Sequence, residues 1–164
     1  MSIDATAIAQ GLFMIGAANA APLVCKWVLG ERFVQPIDGG LVLRDGRPLL
    51  GRSKTWRGLI VAIVASTGAA ALCGVDWRLG AVVGVLAMAG DCLSSYTKRR
   101  LGIEVSGFAL GLDQVPESLL PALACGLYLP LGFIEVAAIV LLFFAGELIA
   151  SRLLYAVGLR DRPY

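Results

Sequence analysis

The feature that most constrains this chain is a succession of long apolar runs separated by short charged stretches. Membrane-spanning helices need about 20 mostly apolar residues, and five runs are candidates. They lie at about Ala5–Leu29, Leu59–Val75, Leu79–Tyr96, Val115–Leu129 and Leu131–Leu154. Hydrophobic residues make up 58% of the sequence, against about 45–50% in soluble domains. The pattern predicts an all-α, polytopic membrane helical bundle of about five transmembrane helices, forming a single domain over residues 1–164.

Positive charge is distributed unevenly between the two ends of this predicted bundle. Lys and Arg residues in short loops favour the cytoplasmic side of a membrane. Of the 14 Lys and Arg residues, most fall in a loop at about 31–57, in a loop at about 98–114, or at the C-terminal end, whereas Arg78 alone falls on the opposite side. We therefore expect an N-terminus outside, a cytoplasmic C-terminus, and a functional site on the cytoplasmic side of the inner or plasma membrane.

Composition excludes several classes of function. The chain has no histidine, so a histidine base and histidine metal ligands are both absent. Its net charge of +2 is too small to indicate nucleic-acid binding. The four cysteines form no C-x-x-C pair, and their apolar surroundings predict small packing residues rather than a redox or metal site.

A polar stripe is predicted at the cytoplasmic end of the third span. A carboxylate at the centre of a bilayer costs about 2.5–3.5 kcal/mol by insertion scales, so such residues usually face the bundle interior and serve a function. Asp91, Ser95 and Lys98 follow each other at i, i+4 and i+7, which places them on one face of a helix. Two alternatives to a functional role remain. Lys98–Arg100 would be a charge signal that binds lipid headgroups, and Asp91 would be the structural partner of one of those cations.

A second carboxylate, Asp113, precedes the fourth span. If spans three and four are antiparallel neighbours, Asp91 and Asp113 meet at one cytoplasmic site. Two carboxylates together with phosphate oxygens suit Mg²⁺, which shares its oxygen ligands with substrates. Asp113 followed by Pro116 and Glu117 is also an ordinary helix start, so a capping role is the alternative.

The loop between spans one and two combines glycines, hydroxyls and cations. Its Asp-Gly pairs indicate turns, and Leu41–Leu43 between them predicts a short strand. Gly51–Thr55 does not follow the phosphate-loop pattern G-x-x-x-x-G-K-[ST], which excludes a nucleotide-binding domain of that class. Glycines, hydroxyls and cations at the start of a helix still favour an anion site, and a solvated basic loop is the alternative.

Five segments, in order along the chain, resemble the CDP-archaeol synthases, a branch of the membrane phosphatidate cytidylyltransferases, or a bacterial relative of that branch. Gly51–Gly58 (GRSKTWRG) resembles a G-x-x-KTWRG segment. The other four segments are Asp38–Gly40 with Asp45–Pro48, Gly90–Asp91 with Ser95–Gly102, Leu112–Gln114, and the tail Tyr155–Arg160 with Pro163–Tyr164. The chain departs from the archaeal pattern after Leu112–Gln114, where Val115–Glu117 replaces a segment with a second Asp.

The resemblance implies the reaction of CTP with a lipid phosphate to give a CDP-activated lipid and pyrophosphate, in phospholipid biosynthesis. Asp91 and Asp113 would hold Mg²⁺, and Lys98 would act with them. Lys98 and Arg99 would bind phosphates of CTP or of the lipid, and Lys54 and Arg57 the leaving pyrophosphate. Ser95 and Thr55 would donate hydrogen bonds to phosphate oxygens. Further candidates for substrate binding are Arg100, Gln114 and Asp38.

The resemblance also implies contact with membrane lipids and a homodimer, and it leaves open whether the lipid carries ether-linked isoprenoid or ester-linked acyl chains. Two other classes of function compete. Asn19 and Glu147 lie within predicted spans, as in a small transporter. The basic loops would also suit a non-catalytic protein that binds anionic lipid, although Asp91 and Asp113 have no use in such a protein.

Overall fold

The computed structural model describes residues 3–105, 107 and 109–158. The described residues form α1 (Ala5–Leu29), α2 (Trp56–Leu72), α3 (Trp77–Arg100), α4 (Gln114–Tyr128) and α5 (Phe133–Ala156). Each helix lies within a few residues of a predicted span, so the all-α membrane bundle is confirmed. By length and composition α1, α3 and α5 can cross a membrane, and α2 is a shorter apolar helix. The count of five spans and their orientation stay predictions.

The helix boundaries move several predicted loop residues into helices. Lys98, Arg99 and Arg100 form the last turn of α3, where their positive charge complements the carbonyl end of the helix. The connections are correspondingly shorter than predicted, at 30–55 and 101–113. The predicted tail cations Arg160 and Arg162 and the end of the tail resemblance lie outside the described residues.

Glycines of α3 let its backbone approach two neighbouring helices. A Cβ atom at Gly80 would overlap the Ser66 carbonyl oxygen of α2, and one at Gly84 would lie 2.7 Å from the Cα atom of Ile63. Further along α3, a Cβ atom at Gly90 would overlap the Pro116 carbonyl and lie 2.7 Å from the Cα atom of Glu117 in α4. Such close approach is typical of helix packing in membranes, where small residues line the interfaces.

The interior of the bundle is mainly apolar, and most of its buried charged residues lie at one end. The main apolar cluster includes Met14 and Ile15 of α1, Leu79 and Val83 of α3, and Ile139 of α5, all at most 2% exposed. A smaller cluster of Ala18, Ala62, Ala87 and Met88 follows it along the helices. Of the charged residues buried in the described part of the chain, Lys98, Arg99 and Glu117 lie beyond these clusters, near the 30–55 and 101–113 connections. Glu135 lies at the opposite end, at the start of α5, where it accepts a hydrogen bond from the Gly132 N–H.

The predicted strand at Leu41–Leu43 is wrong. Val42 forms one isolated antiparallel bridge with Pro48, and the residues between them make a turn around Gly46, whose φ angle is 75°. The hydrogen bonds from Leu43 N to Arg47 O and from Leu49 N to Leu41 O, at 2.9 and 2.8 Å, hold this short hairpin. Because the two arms meet over so few residues, no ladder of paired residues develops.

Candidate active site

The carboxylate predicted to anchor the site is paired with a lysine from a distant part of the sequence. Asp91 lies in α3, and Lys54 lies two residues before the start of α2. The Lys54 Nζ atom is 2.6 Å from both carboxylate oxygens of Asp91, and the two side chains are 18% and 25% exposed. The partner of Asp91 is therefore Lys54 and not one of the cations at 98–100.

The second predicted carboxylate is also paired with a lysine. Lys98 Nζ lies 2.5 Å from Asp113 Oδ1 and donates a hydrogen bond of 3.0 Å to the Gly107 carbonyl. Asp113 Oδ2 accepts a 3.1 Å bond from the Ala109 N–H, and the Asp113 side chain makes no capping bond to α4. The geometry thus favours a role for Asp113 in the functional site over a role as the cap of α4. Lys98 and Arg99 are buried, so the geometry also disfavours the alternative in which the cations at the end of α3 only bind lipid headgroups.

A cavity of about 620 Å³, here called the large cavity, joins these charged groups to an apolar region between α1 and α5. The predicted stripe of Asp91, Ser95 and Lys98 lines it, as do Arg99 and Asp113. Its walls from α1 and α5 are mostly apolar or small, with the polar exceptions Asn19, Glu147 and Ser151; the other residues are Leu12, Gly16, Ala20, Pro22, Leu23, Leu142, Phe143, Gly146, Ala150 and Leu154. The large cavity can therefore hold a molecule with one anionic end and an apolar remainder.

A second cavity of about 330 Å³, here called the basic cavity, lies under the 30–55 connection. Its lining includes four cations, Lys26, Arg52, Lys54 and Arg57, against the two acids Glu31 and Asp91. Thr55 also lines it and serves as the N-cap of α2, where its Oγ1 atom accepts a 3.1 Å bond from the Gly58 N–H. The excess of positive charge and the start of a helix make this cavity suitable for an anion.

The two cavities meet at the Lys54–Asp91 pair. Both are lined by Lys54 and Asp91, together with Ser53, Pro22 and Met88. A ligand in the basic cavity and a ligand in the large cavity would thus contact the same ion pair from two sides. At this junction an anionic ligand under the loop and an amphiphilic ligand between the helices can meet.

Three predicted substrate-binding residues make structural contacts within the protein. Arg100 forms an ion pair with Asp45 and donates a 2.6 Å bond to the Pro48 carbonyl, which fastens the hairpin to the end of α3. Gln114 is 1% exposed and accepts a 2.8 Å bond from the Gly111 N–H. Asp38 accepts bonds from backbone N–H groups of its own loop, and none of the three lines either cavity. Their contact with substrate stays a prediction.

Arg57 has a structural contact as well as a place in the basic cavity. Its Nη1 atom donates hydrogen bonds of 2.9 and 2.5 Å to the carbonyls of Gly30 and Arg32, just beyond the end of α1. The guanidinium thus ties the start of α2 to the end of α1. Its predicted contact with pyrophosphate would use the remaining donors of the guanidinium group.

Backbone hydrogen bonds hold the 38–51 segment in place and favour the ionised form of its aspartates. Partial burial would raise the pKa of Asp38, but bonds from the Leu50, Gly40 and Gly51 N–H groups outweigh it, so the pKa lies below its ordinary value. The pKa of Asp45 is lowered mainly by the bond from the Arg47 N–H and also by the nearby Arg100 guanidinium. Both carboxylates therefore stay charged at neutral pH.

Sequence reasoning missed several cavity residues. Lys26 and Ser151 each line a cavity and were not named as candidates, and Arg52 and Ser53 were included only as part of the loop segment expected to bind an anion. Glu147, predicted only as a polar residue within a span, lines the large cavity with Glu117. The i, i+4 spacing of Glu147 and Ser151 in α5 was the available signal, since it places both on one face.

The residues present fit a divalent cation that is bound partly by protein carboxylates and partly by phosphate oxygens of the substrate. Within residues 3–105, 107 and 109–158, no cluster of three or more Asp, Glu, Cys or His side chains could hold a metal ion by itself. Mg²⁺, however, is commonly bound by one or two carboxylates plus substrate phosphates. Asp91 and Asp113 line one cavity, and each already faces a positively charged ammonium group, so the site is built to hold positive charge.

The chain is similar to known proteins over most of its length. Residues 75–164 match a family model described as CarS-like CDP-archaeol synthase. The CDP-archaeol synthase of Aeropyrum pernix is 39% identical over 158 residues, which cover 90% of this chain and 85% of the relative. The CDP-archaeol synthase of Hyperthermus butylicus is 41% identical over 105 residues, which cover 60% of each protein.

A solved structure gives the same relationship at the level of the fold. It is described as an intramembrane enzyme for archaeal membrane lipids biosynthesis, and it aligns with a TM-score of 0.71 and 31% identity. The alignment covers 86% of this chain and 90% of that one. The family model spans α3, α4 and α5, which carry Asp91, Lys98 and Asp113. On these matches, the chain belongs to the CDP-archaeol synthase family.

Proposed function

We propose that this protein transfers the cytidylyl group of CTP to the phosphate of a membrane lipid, releasing pyrophosphate, with Mg²⁺ and on the cytoplasmic face of the membrane. Membership of the CDP-archaeol synthase family favours this reaction over a transporter or a lipid-binding scaffold. The observation that carries the proposal is the Lys54–Asp91 pair, which borders both cavities. The donor and the acceptor of the reaction can therefore approach one point from two sides.

The basic cavity suits the triphosphate of CTP. Its four cations exceed its two acids, and a nucleoside triphosphate brings several negative charges. Lys54 and Arg57 would hold the β- and γ-phosphates, which leave as pyrophosphate, and the Thr55 hydroxyl would donate a hydrogen bond to a phosphate oxygen. This arrangement directs the α-phosphate toward Asp91 and the large cavity.

The large cavity suits the lipid phosphate. Lys98, Arg99 and Ser95 would bind the phosphate, and the apolar walls from α1 and α5 would receive the chains. One oxygen of the lipid phosphate attacks the α-phosphorus of CTP, a new P–O–P bridge forms, and the bond to the β-phosphate breaks. The attacking oxygen is already ionised at neutral pH, so no general base is required and catalysis rests on positioning and charge neutralisation.

The absence of histidine is consistent with this chemistry. A bound Mg²⁺, held by Asp91 and Asp113, would neutralise charge on the phosphates and fix their orientation. Lys54 and Lys98, which contact these two carboxylates, would bind phosphates of CTP and of the lipid, respectively, beside this cation. The predicted homodimer adds no residue to this account and stays a prediction.

The proposal is tested by measuring formation of CDP-lipid from labelled CTP by the purified protein with Mg²⁺. The acceptors are a panel of lipid phosphates with ether-linked isoprenoid and ester-linked acyl chains. We expect product with at least one acceptor and none with Asp91→Asn. The matched control is Asp76→Asn, because Asp76 caps the opposite end of α3 and asparagine caps equally well. A folded wild-type protein that makes no product from any acceptor would refute the proposal.

A further inference from the structure

The ammonium group of Lys54 occupies the position between the two carboxylate oxygens of Asp91, 2.6 Å from each. Mg²⁺ requires oxygen ligands at about 2.0–2.1 Å in near-octahedral geometry. A divalent cation that takes this position at such a distance has to displace Lys54, because two positive groups cannot share so small a space without strong repulsion.

The other predicted metal ligand is engaged in the same way. Asp113 faces Lys98 through Oδ1 and the Ala109 N–H through Oδ2. Lys98 is held from its other side by the Gly107 carbonyl, 3.0 Å away, whereas no carbonyl bond of this kind is found for Lys54 among the described residues. Of the two ammonium groups, Lys54 is therefore the one that is held by its carboxylate alone and is more easily moved.

Moving Lys54 needs a new anionic partner. Separating a partly buried ion pair is costly when one charge is left uncompensated. A polyphosphate in the basic cavity supplies that partner, since Lys54 lines this cavity as well as the large one. A lysine side chain suits the exchange, because it is a compact charge on a flexible four-carbon stem.

We propose that Lys54 is a cation gate at Asp91, which keeps divalent cations off the carboxylate until a nucleoside triphosphate draws the ammonium group away. Nucleotide and divalent cation then bind cooperatively, and each raises the affinity of the other by the same factor. A factor of about 5–150 is typical of such coupling. The identity of the nucleotide rests on the proposed function, whereas the exclusion of cations in its absence rests on the ion pair alone.

The gate makes a prediction opposite to that for an ordinary ligand: removing a site residue should strengthen cation binding. Mn²⁺ serves as the probe, and its binding to the full chain in detergent micelles without nucleotide is measured by electron paramagnetic resonance. Wild type should bind Mn²⁺ weakly, and Lys54→Met should bind it at least about tenfold more tightly. The double variant Lys54→Met with Asp91→Asn should lose this gain, because the carboxylate itself is then absent.

Lys26→Met is the matched control. Lys26 lines the same cavity and belongs to none of the three ion pairs found in the described part of the chain. Its removal lowers the local positive charge by the same amount without opening Asp91. If Lys54→Met binds Mn²⁺ no more tightly than Lys26→Met, the gate is wrong. Lys54→Gln provides the same comparison if the methionine variant does not fold.

A second readout follows the unfolding temperature, which rises when a ligand binds the folded state. In wild type we expect Mn²⁺ to raise it only when CTP is present, whereas in Lys54→Met Mn²⁺ alone should suffice. A wild-type protein stabilised equally by Mn²⁺ with and without CTP overturns the gate. The proposed function fails separately: if wild type makes no CDP-lipid while Lys54→Met gains Mn²⁺ affinity, the gate stands and the reaction does not.

Discussion

Lys98 Nζ lies 2.5 Å from Asp113 Oδ1 and joins the last turn of α3 to the residue that precedes α4. The two side chains are only 10% and 19% exposed, and both line the large cavity. The pair therefore has two consequences. It fastens the residue before α4 to the last turn of α3, and it places one cation and one carboxylate beside the expected position of the lipid phosphate.

We predict that Lys98→Met lowers both stability and turnover. Leaving Asp113 without its partner in a largely buried position should cost about 1–3 kcal/mol, seen as a lower unfolding temperature in detergent. Turnover to CDP-lipid should fall by about 10²-fold or more, as when a charge-stabilising donor is removed. The double variant Lys98→Met with Asp113→Leu should regain part of the stability and none of the activity.

Arg44→Met is the control for this pair, because Arg44 is an exposed cation of the 30–55 connection that lines neither cavity. It should change neither the unfolding temperature nor turnover. If Lys98→Met were less stable than wild type but equally active, Lys98 would join α3 to the start of α4 without touching substrate.

We predict that Gly90→Ala separates α3 from α4 and impairs the site. The new Cβ atom would overlap the Pro116 carbonyl, which is backbone and cannot rotate away. Overpacking of this kind typically costs about 1–3 kcal/mol. Because Gly90 adjoins Asp91, the shift should also change the distance between Asp91 and Asp113, so CDP-lipid formation should fall by more than the loss of folded protein explains.

Gly68→Ala provides the comparison for Gly90→Ala. Gly68 lies in α2 with open space around the position of a Cβ atom, so alanine should leave activity unchanged and stabilise the helix by up to about 1 kcal/mol. The ratio of turnover to folded fraction, measured by CDP-lipid assay and thermal unfolding, distinguishes the two variants. Equal ratios for both would show that the α3–α4 distance does not position Asp91.

Much of the site could be predicted because its parts are local in sequence. Asp91, Ser95 and Lys98 repeat at helical spacing within one apolar helix, and all three line the large cavity. That Asp91 and Asp113 line the same cavity agrees with the expectation of antiparallel neighbours joined by a short connection. In both cases the periodicity of a helix and the polarity of the residues sufficed.

The partner of Asp91 could not be predicted in the same way. Lys54 lies 37 residues before it, and their contact depends on how closely α2 and α3 pack, which is set by the glycines at 80 and 84. The family resemblance groups Asp38 and Arg100 with the substrate-binding residues, and the contacts found for their side chains are with the 38–51 segment. Their contact with substrate stays a prediction. A motif marks residues that occur together, and only the contacts separate those facing a cavity from those holding a loop.

We predict that the order of the 38–51 segment is lost in acid. Asp38 is ionised in the folded loop below its ordinary pKa, so its contribution to stability is present above the unfolded pKa of about 3.9. That contribution disappears as the pH falls through the lower folded pKa. Amide exchange of Leu50 and Gly51, corrected for intrinsic rates, should show constant protection from pH 7 to 5 and loss of protection below about pH 3.9.

Asp38→Asn should remove most of this protection at every pH, because an amide cannot carry the charge that these N–H groups favour. Asp76→Asn, outside the loop, should keep the protection and its pH dependence. If Asp38→Asn instead raised the KM for CTP and left the exchange rates unchanged, Asp38 would contact substrate, as the family resemblance implies, rather than order the loop.

The apolar part of the large cavity is expected to receive the lipid chains. Gly146 of α5 lines this part and has no atom within 4 Å of a Cβ position, so a larger side chain enters open space without disturbing the helices. Gly146→Leu should therefore lower kcat/KM for the lipid phosphate by about tenfold or more, since even one methylene in an apolar site can change it by that amount. The KM for CTP should not change, because the basic cavity does not include Gly146.

Gly68→Leu adds the same side chain to α2 outside the large cavity and should leave both constants unaltered. Equal kinetics for wild type and Gly146→Leu in a folded protein would mean that the lipid reaches Lys98 by a route other than the space between α1 and α5.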